Sequence, residues 1–160
     1  MQTNNSGKFY VRKTRMNDVD AIHSIISYFA ERHKMLFRTK DELYERIREF
    51  CVCCDSGGTI VGCCALSIMW LDLAEIRSLA VLPEYFGRGI GRMLVEAALD
   101  EAKDLGIKKV FALTYETNFF RKLGFKQIEK SQLPHKVWTD CIRCPMKENC
   151  EEIPVLINVD

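Results

Sequence analysis

The sequence predicts a mixed α/β domain, a central mixed β-sheet flanked by helices. Three observations point to it. Strand-like runs rich in β-branched and aromatic residues alternate with segments of helical spacing, in the order β-α-α-β-β-β-α-β-α-β. A chain of 160 residues suits one domain with its own core, here expected to span 1–160. Glycines at 57–58 and at 87, 89 and 91 punctuate the chain where turns are needed.

Phe9 to Lys13 alternates as a short first strand. Asn17 or Asp18 offers an N-cap, and Val19, Ile22, Ile25, Ile26 and Phe29 follow at helical spacing. Glu31 to Arg38 breaks that pattern and reads as a loop. Thr39, with Glu42 three residues on, forms a capping box for a second helix, whose expected buried stripe is Leu43, Ile47 and Phe50. The β-rich runs Phe50–Cys54 and Thr59–Trp70 are joined by Asp55-Ser-Gly-Gly58, a hairpin signal because glycine accepts the positive φ of a tight turn. Leu73–Val81 is a further strand, interrupted by Glu75 and Arg77 and ended by Pro83. A long helix is expected from Gly89 to Leu105, with Ile90, Met93, Leu94, Ala97 and Ala98 on its apolar face and Gly106 as its stop. Lys109–Thr114 reads as a strand, Thr117–Leu123 as a short helix, Phe125–Ile128 as a strand and Pro154–Val159 as a last apolar run.

Composition removes several function classes. With 23 Lys+Arg against 22 Asp+Glu the formal charge is +1, which lacks the basic balance that draws a protein to phosphate backbones. No apolar run approaches the ~20 residues that span a bilayer, and the start, MQTNNSGKFYVRK, lacks the apolar stretch of a secretory signal. A soluble cytoplasmic protein with no nucleic-acid and no membrane partner is expected. The eight cysteines fall in three groups. Cys51, Cys53 and Cys54, then Cys63 and Cys64, sit in apolar runs and read as small buried hydrophobes. Cys141, Cys144 and Cys150 mark a C-terminal segment at 139–152. They are reduced thiols, a redox bridge or three ligands of an incomplete metal site, and no metal is assigned.

The stretch Gly87-Arg-Gly-Ile-Gly-Arg92 follows a strand and opens a helix. Glycine lets backbone approach a ligand closely, and a helix N-terminus presents N–H groups with no partner inside the helix. With Arg88 and Arg92 adding charge, Gly87, Gly89, Ile90 and Gly91 form a candidate pyrophosphate site. Arg92 stands where a dinucleotide fingerprint needs its third glycine, and no Gly-Lys-Ser/Thr follows to make a Walker loop.

This strand–loop–helix block, with Phe120-Arg-Lys-Leu-Gly-Phe125 after it, resembles the GNAT superfamily of acetyl-CoA-dependent N-acetyltransferases, and the resemblance runs from Val11 to Phe125. It implies a GNAT-like fold, acetyl-CoA as co-substrate, loop amides on the pyrophosphate, and a splayed strand (Leu79, Ala80 and Val81) along the pantetheine arm. The family's loop opens with Gln or Arg where Phe86 stands, and its frequent tyrosine acid is replaced by Phe120. More narrowly, Leu73–Val81, Val110–Thr114, Leu133-Pro-His-Lys-Val-Trp138 and the cysteine-bearing tail resemble N-acetylglutamate synthases, in particular short bacterial forms without an amino-acid-kinase domain.

Amine acetylation needs a deprotonated nucleophile, a polarised thioester carbonyl and a proton for the leaving thiolate. The resemblance puts Glu75 forward as base, with an ordinary strand ion pair as its alternative, the Leu79 N–H as the polarising donor, and Thr114 or Tyr115 as the acid. It also implies that Arg38, Arg77 and Lys136 hold the carboxylates of an acceptor, L-glutamate first, in the opening step of arginine synthesis. Arginine suits that role because its planar fork meets a carboxylate with two parallel hydrogen bonds. Another small amine, a protein N-terminus, or a non-catalytic acetyl-CoA-binding module are the alternatives. A homodimer is kept open.

Overall fold

The computed structural model describes residues 8–138 and 152–160, so Cys141, Cys144 and Cys150 lie outside the described residues. In chain order the elements are β1 (Phe9–Lys13), α1 (Val19–Ala30), α2 (Lys40–Glu45), β2 (Phe50–Asp55), β3 (Ile60–Trp70), β4 (Leu73–Val81), α3 (Ile90–Leu105), β5 (Lys109–Thr114), α4 (Thr117–Lys122), β6 (Lys126–Gln127) and β7 (Ile153–Asn158). Among the described residues the strands form one sheet in the order β1-β2-β3-β4-β5-β7-β6. Neighbours are antiparallel except β4 and β5, which are parallel because α3 carries the chain back across the sheet between them.

Side chains alternate across the sheet and give it two cores. Cys53, Cys64, Leu66, Ala74, Ile76, Val110 and Ala112 face α3, where Ile90, Leu94, Val95 and Ala98 meet them. Val52, Cys54, Cys63 and Ala65 face the other way, onto Val19, Ile22 and Ile26 of α1 and Leu43 of α2. Adjacent cysteines therefore go to opposite cores, and Cys51, Cys53, Cys54, Cys63 and Cys64 are all free and buried. Burial pushes the thiols of Cys51 and Cys53 up to about 12, so both pack as neutral hydrophobes. A third cluster, Met69, Leu73, Phe111, Leu133 and Val137, seals the end of the sheet under the segment 130–138. No helix among the described residues is long and apolar enough to cross a membrane.

Three expectations need correction. Asp18 precedes α1 as foreseen, but its carboxylate makes no cap bond. It takes two parallel hydrogen bonds from Arg12, Nη1 at 2.8 Å and Nη2 at 2.9 Å, and a third from the Arg15 amide at 2.8 Å. The stripe Leu43, Ile47, Phe50 does not belong to one helix. The capping box forms, with the Glu42 amide on Thr39 Oγ1 at 3.1 Å and the Thr39 amide on Glu42 Oε1 at 3.2 Å, yet α2 ends at Glu45. The Thr14 hydroxyl engages the carbonyls of Ile47 and Phe50, and Phe50 pairs with Ala65 as the first residue of β2. The strand expected over Phe125–Ile128 shrinks to Lys126–Gln127, because Phe125 donates its amide to the Phe120 carbonyl and turns its ring into the core. The hairpin turn matches its sequence: Asp55 Oδ1 accepts the amides of Gly57 and Thr59, and Gly58 takes φ +87°.

The Arg12–Asp18 pair joins the edge strand to the first helix, with both side chains largely out of water. The Arg12 guanidinium, offset in part by burial, holds the Asp18 carboxyl below the usual aspartate range. A depressed carboxyl stabilises the fold above its unfolded value and stops doing so as pH falls through the folded one. Asp18→Asn should therefore cost about 3 kcal/mol at pH 7. Denaturation midpoints of the two proteins should converge as pH falls below about 4, the ordinary carboxylate range.

Candidate active site

The site begins with a fault in the β3–β4 ladder. Register runs Ala65↔Arg77 and then Cys63↔Ala80, so Cys64 alone faces both Ser78 and Leu79. One strand thus carries an extra residue, a β-bulge, which bends it and increases its twist. Ser78 sits at φ +51°, the left-handed region where a non-glycine residue is uncommon. Its carbonyl accepts the Cys63 thiol at 3.4 Å.

On its other edge β4 leaves β5. Their pairing starts at Leu73↔Lys109 and ends at Ile76↔Ala112, although β4 continues to Val81 and β5 to Thr114. Beyond Ile76 the two parallel strands part, and Leu79, Ala80 and Val81 line one side of the opening. The start of α3 lies across it. A Cβ on Gly62 would meet the Ala80 carbonyl at 3.0 Å and Ile90 Cγ2 at 3.4 Å, while one on Gly91 would meet the Phe119 ring of α4 at 3.2 Å. The helix N-terminus is thus wedged between the end of β4 and the helix that follows β5.

The loop before α3 has the backbone that its glycines allow. Gly87 and Gly89 both take φ +78°, Gly89 caps the helix, and a Cβ at either would point into open space. The first-turn N–H groups of α3 have no acceptor within the helix. Arg88 lies over the Tyr85 ring at 5.2 Å, and Arg92 pairs with Glu96 at 3.3 Å on the exposed side. Phe86 is exposed.

The face toward α1 and α2 carries the charges. Glu75 is only 6% exposed, and its Oε1 accepts Arg77 Nε at 2.7 Å. Arg38, 9% exposed, reaches from the loop before α2 to Glu42 Oε2 at 3.4 Å. It lines a small cleft with Glu42, Leu43, Phe50, Ala65 and Ser78. Ala65 opposes Arg77 in the ladder and Ser78 follows Arg77, so this cleft adjoins the Glu75–Arg77 pair. Burial pushes Glu42 up, but the Thr39 amide and Arg38 outweigh it and hold its carboxyl below the usual glutamate range. Thr114 is buried, its Oγ1 accepting the Glu116 amide at 2.7 Å, and Tyr115 beside it is exposed. Phe120 is buried in edge-to-face contact with Phe119 and Phe125. The position carries a core ring and no phenol.

The structure therefore gathers Leu79, Ala80, Val81 and residues 87–92 at one mouth of the opening, and Arg38, Glu75 and Arg77 on the neighbouring face. Lys136 stands apart, its Nζ 5.4 Å from the Trp70 ring where β3 turns into β4. Trp70 pairs with Leu73 in the ladder, four residues from Arg77 and so roughly 13 Å along the strand. Sequence reasoning missed Glu42, Ser78 and Cys63. Arg38 and Glu42 are four residues apart, a spacing that signals a helical ion pair. No local pattern announces the conformation of Ser78.

Comparison with known proteins agrees with this architecture. The family model described as Acetyltransferase (GNAT) family matches residues 16–125. An uncharacterized N-acetyltransferase of Chlorobaculum tepidum is 43% identical over 146 residues, covering 91% of this chain and 94% of that one. An amino-acid acetyltransferase of Mycobacterium tuberculosis is 40% identical over 135 residues, covering 83% of this chain and 77% of its own length. Among solved structures, a Mycobacterium tuberculosis protein in complex with CoA and NLQ superposes with a TM-score of 0.82 at 34% identity, covering 94% of this chain and 99% of that one. N-acetylglutamate synthase from Neisseria gonorrhoeae, complexed with coenzyme A and N-acetyl-glutamate, gives a TM-score of 0.85 at 26% identity, with 95% of this chain on 35% of that longer one. The chain belongs to the GNAT acetyltransferase family. It is an N-acetyltransferase, and acetyl-CoA is its co-substrate.

Gly89 and Gly106 stand at opposite ends of α3 with matching φ, +78° and +80°, and open space around each. An alanine at either should cost about 1 kcal/mol from left-handed backbone strain. Only Gly89→Ala should weaken acetyl-CoA, by roughly tenfold in Kd, or about 1.4 kcal/mol. Calorimetric titration of both variants checks this, and equal affinities would remove the loop from the acetyl-CoA site.

Proposed function

We propose that this acetyltransferase acetylates the α-amine of L-glutamate. The observation that carries the reading is the buried Glu75–Arg77 pair beside the Arg38 cleft, at the point where β4 and β5 part. The amino-acid acetyltransferase relative supports it, as does the likeness to a synthase domain seen with N-acetyl-glutamate.

On this reading the amides of Gly87 to Arg92 hold the pyrophosphate, with Arg88 and Arg92 adding positive charge. The pantetheine arm lies along Leu79, Ala80 and Val81 and completes the broken ladder. Glu75 takes a proton from the acceptor's ammonium, which frees the nitrogen lone pair. Arg77 holds that carboxylate in place through Nε and adds its charge to the acceptor side. The nitrogen bonds to the thioester carbon while the Leu79 N–H meets the charge that develops on the carbonyl oxygen. The C–S bond breaks, the second proton of the nitrogen passes to the thiolate through Thr114, Tyr115 or water, which relay it and are left unchanged, and Glu75 returns the first proton to solvent. Arg38 is the principal carboxylate anchor, because it is buried, lines the cleft beside Ser78 and can offer a planar fork. Lys136, further along the sheet, contributes charge at longer range.

Thiol release from acetyl-CoA against a panel of amino acids and polyamines tests the acceptor, and glutamate should rank among the best. Glutamate no better than glutamine or a polyamine would overturn the assignment and leave the acetyltransferase chemistry standing. Glu75→Gln should lower kcat by ~10²–10⁴-fold with acetyl-CoA affinity retained. Arg38→Lys should raise the glutamate KM by about tenfold or more, since an ammonium cannot reproduce the two-pronged contact.

A further inference from the structure

We propose that the buried Cys63 thiol is a positioning residue for acetyl transfer: by holding the Ser78 carbonyl it aims the Leu79 N–H into the opening between β4 and β5. This deepens the reading above, in which that N–H receives the thioester oxygen.

The inference follows from one peptide plane. The Ser78 carbonyl and the Leu79 N–H belong to the same peptide unit, and no cis bond occurs among the described residues. In a planar trans peptide the two groups point in opposite directions. The Ser78 carbonyl accepts the Cys63 thiol at 3.4 Å, and that side chain rises from β3 toward α1, so the carbonyl is held on the β3 and α1 side of β4. The Leu79 N–H is therefore turned away from β3 and from α1, toward the α3 face, and β4 lies between β3 and β5 in the sheet. It is directed at the side where β4 and β5 have already parted, at Ile76↔Ala112.

The anchor is needed because the bulge removes the ordinary one. In a continuous ladder both groups of this peptide would be fixed by neighbouring strands, but here register jumps from Arg77 to Ala80 across Ser78 and Leu79. Ser78 also holds a left-handed φ of +51°, which persists only where the surroundings enforce it. A side chain from the next strand is what the structure supplies. Cys63 is suited to hold that carbonyl. It has no exposed surface, and burial pushes its thiol far above the ordinary range, so it stays protonated and acts as a donor.

The test uses Cys63→Val, which keeps apolar bulk and loses the donor, and Cys63→Ser, which keeps a donor. Cys63→Ala replaces the first if valine does not fold. Calorimetry with acetyl-CoA and with CoA gives a readout free of turnover, since only acetyl-CoA carries the carbonyl that the Leu79 amide would meet. The valine variant should bind CoA as the parent does and lose roughly threefold to tenfold of its preference for acetyl-CoA, the worth of one net hydrogen bond. Its kcat should fall by a similar factor at saturating acceptor, and Cys63→Ser should restore both. A valine variant with the parental preference, or a serine variant that behaves like valine, would overturn the proposal. If the parent turned over no amino acid, the glutamate reading would fall, and the ratio of the two affinities would still decide the role of Cys63.

Discussion

A strand inside a sheet is ordinarily held on both edges, and β4 keeps its partner on the β5 edge only as far as Ile76. The rest of the site depends on how that parting is held open. β3 stays with β4 to Val81, and β7 follows β5 from Lys109 to Thr114, so each arm has a neighbour of its own and neither needs the other. The bulge at Ser78 and Leu79 sets the bend, and the start of α3 wedges the mouth between Ala80 and Phe119. At Gly62 and Gly91 a side chain would crowd the Ala80 carbonyl and the Phe119 ring, at 3.0 and 3.2 Å. The opening is thus built into the strand pairing of the sheet.

Much of this was legible in the chain because local chemistry and global fold agree. Thr39 and Glu42 form the capping box their spacing announces, Asp55-Ser-Gly-Gly58 turns as its glycines allow, and Gly106 stops α3 at a left-handed φ. What escaped was set by distant partners. The run 154–159 was legible only as apolar, and nothing within it says that it forms a strand between β5 and β6. Asp18 looks like a cap and serves as a counter-ion because Arg12 happens to face it across a turn. Leu43, Ile47 and Phe50 follow helical spacing, yet sheet pairing claims Phe50 and ends the helix early. At the site, Glu75 and Arg77 were placed on one face by strand parity alone, whereas the conformation of Ser78 depends on a ladder fault and a thiol on another strand.

The acceptor side carries partly or wholly buried charges, and among their contacts are Arg38 with Glu42 and Arg77 with Glu75. Pairing matters because an isolated charge loses several kcal/mol of hydration on burial, and a partner within hydrogen-bonding reach recovers much of it. The pairs are not equivalent. Arg77 and Glu75 meet at 2.7 Å, whereas Arg38 and Glu42 meet at a looser 3.4 Å, and Glu42 also accepts the Thr39 amide and hydroxyl through Oε1. Glu42 would therefore keep its place at the start of α2 if Arg38 turned to another carboxylate. A bound acid could take the place of Glu42 on one prong of Arg38. A neutral or cationic amine offers Arg38 no such exchange and leaves the guanidinium with Glu42. On the proposed reading the resident glutamate thus favours acidic acceptors in two ways: it keeps the anchor ordered while the cleft is empty, and it leaves an amine without a carboxylate nothing to gain there.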